Sequence, residues 1–479
     1  MKKRDILLIL TFSAALLRVV ISFLICVIFK DGVSYIAMAK ALKESDYSTF
    51  FSYPYHPLYS VLIYFLNKLG LGWEISAKII SISSGSLSVI PFYLLSEKLF
   101  ERKIAILASI IFIFHPLLSV FSADIMSESL YIFFLILALY YSYLALSELK
   151  IKYFAFTGIF AGFAYLTRPE GVIVIIITLI LLILFYFKKL KNRMKIIAIS
   201  CIVLILSFFS LSFPYVFLIH KNLNIWTFTQ KKSILTLSGI EKSGKLNIIN
   251  PHFYNFWKTP PKKIKFSKIM LIFLNKIAKN IYFPIFLLIL YTLVKFREEI
   301  FKSKNHIFIL VFWIFYLIIL FRLFQVCHYV SGRHIVAGSV LTFLWAALAL
   351  VNLSRDKDKI LKILIFIIII SCLPKSLKFH RKDKIILKEI GLWIKENYKE
   401  NLKICTTHMP RIAFYASGDH FELPRHNWED FIKKYKIDIL VINKRKLKEF
   451  SLKFPKELEK NLVKKILKVD SIEIYKVKL

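Results

Sequence analysis

VIVIIITLILLILFYF, residues 172 to 187, is sixteen residues long and carries no charge. With its flanks it reaches the length a helix needs to cross a hydrocarbon layer about 30 Å thick. ILIFIIIISCL, residues 363 to 373, has the same character. The first run is bounded by LTRPEG (166–171) on one side and by KKLKNRMK (188–195), with five cations, on the other. A lysine-rich flank marks the cytoplasmic end of a span, so the Arg-Pro-Glu flank lies on the opposite side.

Composition supports the same class. Hydrophobic residues make up 57% of the 479, Phe alone numbers 45, and mean hydropathy is +0.62. A soluble domain has no core volume for that much apolar surface. The net charge of +38 comes from 68 Lys and Arg against 30 Asp and Glu. These cations are spread over every loop and no nucleic-acid motif accompanies them, so the expected partner is an anionic lipid surface and not nucleic acid. The five cysteines form no CxxC pair, and neither a zinc site nor a disulfide framework is expected. MKKRDILLILTFSAALLRVVISFLICVIF is too long for a signal peptide and no small-x-small site follows it, so it reads as a retained first span. Arg18 inside that span is a functional candidate by default, its plainer reading being a pair with a carboxylate on a neighbouring helix.

Eleven spans are expected, near residues 5–29, 75–98, 104–121, 127–147, 153–167, 171–187, 196–219, 279–296, 306–323, 335–352 and 359–374. LYSVLIYFLNKL reads as a shorter apolar helix dipping into the interface. The loops MKKRD, FERK, SELKIK, KKLKNRMK, KFREEIFKSKN and SRDKDK fall on the cytoplasmic side. KDGVSY, SADIMSE, RPEG, a long loop from about 220 to 278, QVCHYVSGRH and the tail fall outside. The chain divides into a membrane domain, 1–374, and a soluble extracytoplasmic α/β domain, 375–479. In the latter LKEIGLWIKENY and NWEDFIKKY read as helices, KICTTH and IDILVIN as strands, and KKILKV and IEIYKV as a hairpin about Asp470-Ser471.

The polar residues at span ends gather on the outer side. Asp31 follows span one and is a good N-cap for VSYIAMAKAL; His56 lies beyond it in YPYHPLY and alone reads as a packed interfacial histidine. Asp124 and Glu128 open span four, where an i, i+4 spacing puts both carboxylates on one helical face and the helix dipole favours them. Arg168 and Glu170 flank a proline that ends span five, while Arg333 and His334 begin span ten. Each cation alone suits a snorkelling anchor or an interfacial ion pair. Together they make a kit in which a carboxylate takes a hydroxyl proton and arginine forks hold a phosphate. No Walker or Rossmann loop is present, so a soluble nucleotide donor is not indicated.

The order KDGVSYIAMAKAL, YHPLYSVLIYFLNKLG, AKIISISSGSLSVIPFYLLSEKLF, HPLLSVFSADIMSESLYIFFLILALYY, GIFAGFAYLTRPEG resembles the dolichyl-phosphate-mannose-protein mannosyltransferase-like group, glycosyltransferase family 39 of the GT-C superfamily. The resemblance covers about residues 8 to 190 and returns at SGRHIVAGSVLTFLWAALAL, similar to the family's late Arg-aromatic-Leu-Pro helix start. It implies a GT-C-like polytopic helical fold and an inverting transfer from a polyprenyl-phosphate sugar at the outer face of the cell membrane. The acid that the family carries in its first outer loop matches Asp31. Many members have an Asp-Glu pair there, and this chain has Asp31-Gly32, which leaves a second acid to Asp124, to Glu128 or to nothing. His334 stands where the late motif usually has Tyr.

The expected mechanism follows. Arg168 or Arg333 holds the donor phosphate, Asp31 takes the proton of an acceptor hydroxyl on a glycan, lipid or protein, and a single displacement inverts the anomeric carbon. Asp124 and Glu128 are the further catalytic candidates, and His56, Glu170 and His334 line the substrate site. No cofactor is expected, and a divalent metal is not indicated. Two rival classes remain: a polymerase or ligase of lipid-linked glycans, distinguished by the lipid left behind, and a transporter, which would show inverted repeats and broken midplane helices.

Overall fold

The computed structural model describes residues 2–186, 190–224, 226–231, 266–327, 329–355, 357–398, 401–424, 427–449 and 463–477. Most of the long outer loop expected from about 220 to 278 lies outside the described residues.

Each of the eleven expected spans falls on helix. Among the described residues, seven helices are long and apolar enough to cross a membrane: Lys3–Phe23, Trp73–Leu99, Glu128–Glu148, Pro169–Tyr186, Met194–Asn222, Lys304–Val326 and Gly332–Leu353. Two bent pairs raise the number to nine if each is one span. The remaining two are Ile151–Thr167, only 17 residues long, and Asp358–Ser376, which carries Asp358 and three lysines. Several hydroxyls inside these helices bond back to the preceding turn, as Ser96 does to Phe92 and Thr178 to Val174, both at 2.7 Å, and so sit in an apolar helix with their donors satisfied.

Three departures from the expected spans bear on the site. The first helix stops at Phe23 and not near 29. Residues 24–29 leave the helix without forming another: Leu24 is still αR, Ile25 makes a parallel bridge to His380 and Phe29 is extended. Leu24 and Cys26 exchange backbone bonds with His380 at 2.9 and 3.2 Å. The span expected at 279–296 breaks at Tyr282, where φ is +77°, and helices Phe266–Ile281 and Phe283–Lys295 meet at 108°. The span expected at 104–121 bends by 58° at His115-Pro116, whose histidine donates from Nε2 to the Ile281 carbonyl at 3.0 Å. One buried histidine thus joins the two bends. Arg18 also departs from expectation. It is fully buried and donates to its own helix at Ala14 (3.0 Å), with no carboxylate partner among the described residues.

The tail forms a five-stranded sheet in the order β2-β1-β3-β5-β4: β1 Lys403–Thr406, β2 Asp419–Glu422, β3 Ile439–Asn443, β4 Val463–Val469 and β5 Ile472–Val477. β1 pairs parallel to β2 and β3, while β5 runs antiparallel to β3 and β4. Alternate residues feed two cores. Cys405, Leu440 and Tyr475 face one with Trp428 and Ile432; Ile404, Val441 and Ile474 face the other with Ile390 and Ile412. Burial on both faces is why β3 reads as the unbroken apolar run ILVI. Strand β2 and helix Pro410–Tyr415 are short elements that the sequence pattern did not mark.

Candidate active site

Helix Lys30–Lys43 begins with Phe29 as N-cap, and no side chain caps it. Asp31 is therefore not the cap the sequence suggested. Its carboxylate instead accepts from Arg333 Nη2 at 2.7 Å and from the Tyr55 hydroxyl. Burial pulls the Asp31 carboxyl upward, but Arg333, Lys30 and Tyr55 outweigh it and hold it below the usual carboxylate range.

Arg333 opens helix Gly332–Ser339 and makes a second contact, from Nη1 to Glu128 at 3.2 Å. Glu128, first residue of helix Glu128–Glu148, also pairs with Arg168. Arg168 Nη2 reaches Glu170 at 3.4 Å and His334 Nε2 at 3.1 Å, and His334 Nδ1 lies 2.9 Å from Glu170. This arrangement fits a neutral imidazole that donates from Nδ1 and accepts at Nε2. Three carboxylates and two arginines, from four separate places in the chain, thus form one continuous buried network.

Two glycines make these approaches feasible. A Cβ on Gly171 would lie 2.2 Å from the Tyr165 nitrogen, so only glycine lets the chain reverse tightly after Arg168 and set Glu170 beside it. A Cβ on Gly32 would lie 2.9 Å from the Ile125 carbonyl oxygen. A second acid directly after Asp31 has no room here. The second acid beside Asp31 comes instead from across the cluster, as Glu128 shares Arg333 with it.

Asp124 does not join this network. It is fully buried and accepts from Arg381 Nη2 at 2.6 Å, from the Ile125 amide at 2.8 Å and from the Phe29 amide. His56 lies beside the network but not in it: Nε2 is 3.2 Å from Thr229 Oγ1, and the ring packs on Tyr165 and Tyr215 at 5.0 Å. Burial, reinforced by Lys231, lowers its pKa to about 3, so it is an uncharged hydrogen bonder at neutral pH and not a phosphate-holding cation.

Sequence reasoning passed over three contributors. Tyr55 bonds Asp31. Lys231 is the third cation, with Nζ 3.9 Å from Glu170, and burial followed by the nearby Arg168 lowers its pKa to about 8. Arg381 holds Asp124. Lysines are so numerous that Lys231 carried no signal; Tyr55 in YPYHPLY was readable as an aromatic beside a marked histidine.

Among the described residues, Arg333 Nε, Glu128 Oε2 and Glu170 Oε2 are buried with no hydrogen-bond partner. Free donors and acceptors in a buried charged cluster are what a site for a polar ligand leaves exposed to it. Two cavities are present among the described residues, and no residue of the network lines either. An apolar groove of about 560 Å³ is lined by Phe50, Phe51, Leu166, Leu211, Pro214 and Tyr215, the last of which also packs on His56. A polar cleft of about 290 Å³ lies between helix Lys30–Lys43 and the tail, lined by Ser34, Lys40, Tyr53, Phe414, Asp419 and His420 among others. No group of three or more His, Cys, Asp or Glu side chains among the described residues is disposed to hold a metal.

Residues 53–213 match the family described as dolichyl-phosphate-mannose-protein mannosyltransferase. The fold is similar to that of ArnT from Cupriavidus metallidurans bound to undecaprenyl phosphate, at TM-score 0.62 and 11% identity over 99% of this chain and 98% of that one. It is also similar to the oligosaccharyltransferase of Archaeoglobus fulgidus in its apo form, at TM-score 0.59 and 14% identity over 91% of this chain and 69% of that one. No curated protein sequence matches the chain. The chain is thus a multi-pass membrane protein that shares its fold with ArnT across nearly its whole length and is similar, over residues 53–213, to the dolichyl-phosphate-mannose-protein mannosyltransferases.

Proposed function

We propose that the protein is an inverting glycosyltransferase that moves a sugar from a polyprenyl-phosphate donor to an acceptor hydroxyl on the outer face of the cell membrane. The observation that carries this reading is the buried network of Asp31, Glu128 and Glu170 with Arg168 and Arg333, in a chain that also carries an apolar groove lined by Leu166, two residues before Arg168, and a cleft between helix Lys30–Lys43 and the tail. The groove suits a polyprenyl chain. The cations of the network suit its phosphate, and the cleft suits a hydroxyl-bearing acceptor on a glycan, lipid or protein.

In the resting state Arg333 is shared between Asp31 and Glu128. A donor phosphate offers it a stronger, bidentate partner. As the guanidinium turns to the phosphate, Asp31 loses its main counter-charge, its proton affinity rises, and it becomes the better base. The donor thereby readies the base for the acceptor. The acceptor oxygen then bonds to the anomeric carbon as its proton passes to Asp31 and the bond from carbon to phosphate oxygen breaks. Arg333, Arg168 and Lys231 receive the charge that develops on the leaving phosphate. One displacement inverts the anomeric centre. The leaving lipid is a polyprenyl monophosphate, which separates this reading from a polymerase or ligase that releases a diphosphate.

Asp31→Asn tests it. The substitution keeps an acceptor for Tyr55 and removes the base, and because Phe29 is the N-cap the helix start does not depend on it. Thermal stability is expected to hold while transfer from radiolabelled polyprenyl-phosphate sugars in proteoliposomes falls by about 10²–10⁴-fold. Wild-type transfer by the folded variant would end the assignment.

A further inference from the structure

The backbone that delivers Asp31 is gripped mainly by the tail. Arg381 Nε donates to the Val27 carbonyl at 2.6 Å, Arg411 Nε donates to the Ile28 carbonyl at 2.7 Å, and the Ile28 amide donates to the Tyr415 hydroxyl at 3.1 Å. Lys30 Nζ donates to His408 Nε2 at 2.6 Å. Four tail residues therefore hold three of the four positions immediately before Asp31. Arg381 goes further than the rest. Its Nη2 bonds the buried Asp124 at 2.6 Å, and Asp124 in turn accepts the Phe29 amide. Its guanidinium lies 5.5 Å from the centre of the Phe29 ring, the same ring that Arg333 overlies at 5.4 Å. Arg381 also adopts a left-handed backbone, φ +58°, which a side-chain-bearing residue rarely keeps unless its surroundings fix it.

Phe29 is the residue from which helix Lys30–Lys43 starts, and Asp31 sits in the first turn. The direction of the Asp31 carboxylate is thus set by the dihedral angles of residues 27–29. We propose that Arg381 and Asp124 are positioning residues for Asp31: together they lock this non-helical strap, so that the soluble tail determines where the base points. The proposal rests on the role given to Asp31 above, and it moves Asp124 out of the reacting groups. A planar guanidinium is required, because only it can reach Val27 and Asp124 with separate N–H groups while lying over the Phe29 ring. A displacement of about 1 Å at a catalytic group costs about a hundredfold in rate.

The test uses the full chain in nanodiscs, with Arg381→Lys, Arg381→Gln and the double variant Asp124→Asn/Arg381→Gln. Three quantities are read: hydrogen exchange in peptides covering 24–32, affinity for undecaprenyl phosphate as the lipid probe, and turnover with polyprenyl-phosphate sugar. Arg381→Lys keeps a charge opposite Asp124, so its thermal midpoint is expected to stay near that of the wild type. Exchange of the strap should nevertheless rise at least tenfold, and turnover should fall about 10- to 100-fold with lipid affinity changed less than threefold. If Arg381→Gln does not fold because Asp124 is left charged and unpaired, the double variant removes that charge; it should fold and retain both defects. Wild-type exchange and turnover in Arg381→Lys, or full recovery of turnover in the double variant, would overturn the proposal. The exchange result stands without any sugar transfer, so a failure of the clamp is separable from a failure of the enzymatic assignment.

Discussion

Arg333 is the residue on which the site turns, because it touches two of the three carboxylates and keeps a third nitrogen unpartnered among the described residues. The cluster holds Asp31, Glu128 and Glu170 against Arg168, Arg333 and Lys231, so its charges balance before a phosphate arrives. Lys231 is the member whose charge is conditional. Its proton affinity is depressed by burial and then by Arg168, to a pKa of about 8, so the cation is present below that pH and lost above it. The expected consequence is a fall in kcat/KM for the lipid donor as pH rises through about 8, since a charge-assisted contact to phosphate is worth about 1.5–3 kcal/mol, or more than tenfold. Lys231→Arg keeps the charge and should flatten that limb, whereas Lys231→Met should impose the loss at every pH. A pH profile of donor kcat/KM in the three proteins checks this, and an unchanged profile in Lys231→Arg would remove Lys231 from the donor site. Legibility differs residue by residue. Asp31, Glu128, Arg168, Glu170, Arg333 and His334 stood out because each adjoins an apolar run, where a polar group is costly and needs a reason. Lys231 and Arg381 lie in basic stretches where a cation costs nothing, and only the folded chain brings them to the acids.

At the scale of elements, the helices were readable and their breaks were not. Apolar periodicity marks a span, but it is blind to residues that stay apolar while leaving the helix, and ICVIF (25–29) does so to become the strap. The bend at Tyr282 is hidden for the same reason, as apolar helix lies on both sides of it. Close packing makes a sharper demand at the Arg168–Gly171 turn. Gly171→Ala pushes a methyl group into the backbone of Ala164 and Tyr165, which has no way to give, and overpacking of this kind costs about 1–3 kcal/mol. The turn is expected to open, lowering the thermal midpoint and separating Arg168 from Glu170, so that donor KM rises as well. Gly70→Ala meets nothing within 4 Å but carries a φ of +92°, so it should lower the midpoint through strain and leave donor KM unchanged. Equal KM in both variants would show that the tight turn is not what places the two charges.

For the whole molecule, the tail and the charged network must lie on one side of the membrane, because Arg381, Arg411, Tyr415 and His408 all grip the strap that ends at Asp31. The charge of the short loops predicts that this side faces outside the cell, and the proposed mechanism needs it there if the donor presents its sugar at the outer face. The argument can be tested without any substrate. In a chain freed of its five cysteines, single cysteines replace the exposed Glu101 and Glu298, in loops assigned to the cytoplasm, and the exposed Asp430, in the tail. An impermeant thiol reagent applied to intact cells should label only position 430, and all three should label once the membrane is opened. The reverse pattern would place Asp31 and its partners on the cytoplasmic side, where the same chemistry would have to draw its donor from the inner leaflet. Labelling of 101 and 430 alike would break the topology itself, because the strap bonds fix the tail to the outer end of the first helix and Glu101 lies at the opposite end of the bundle.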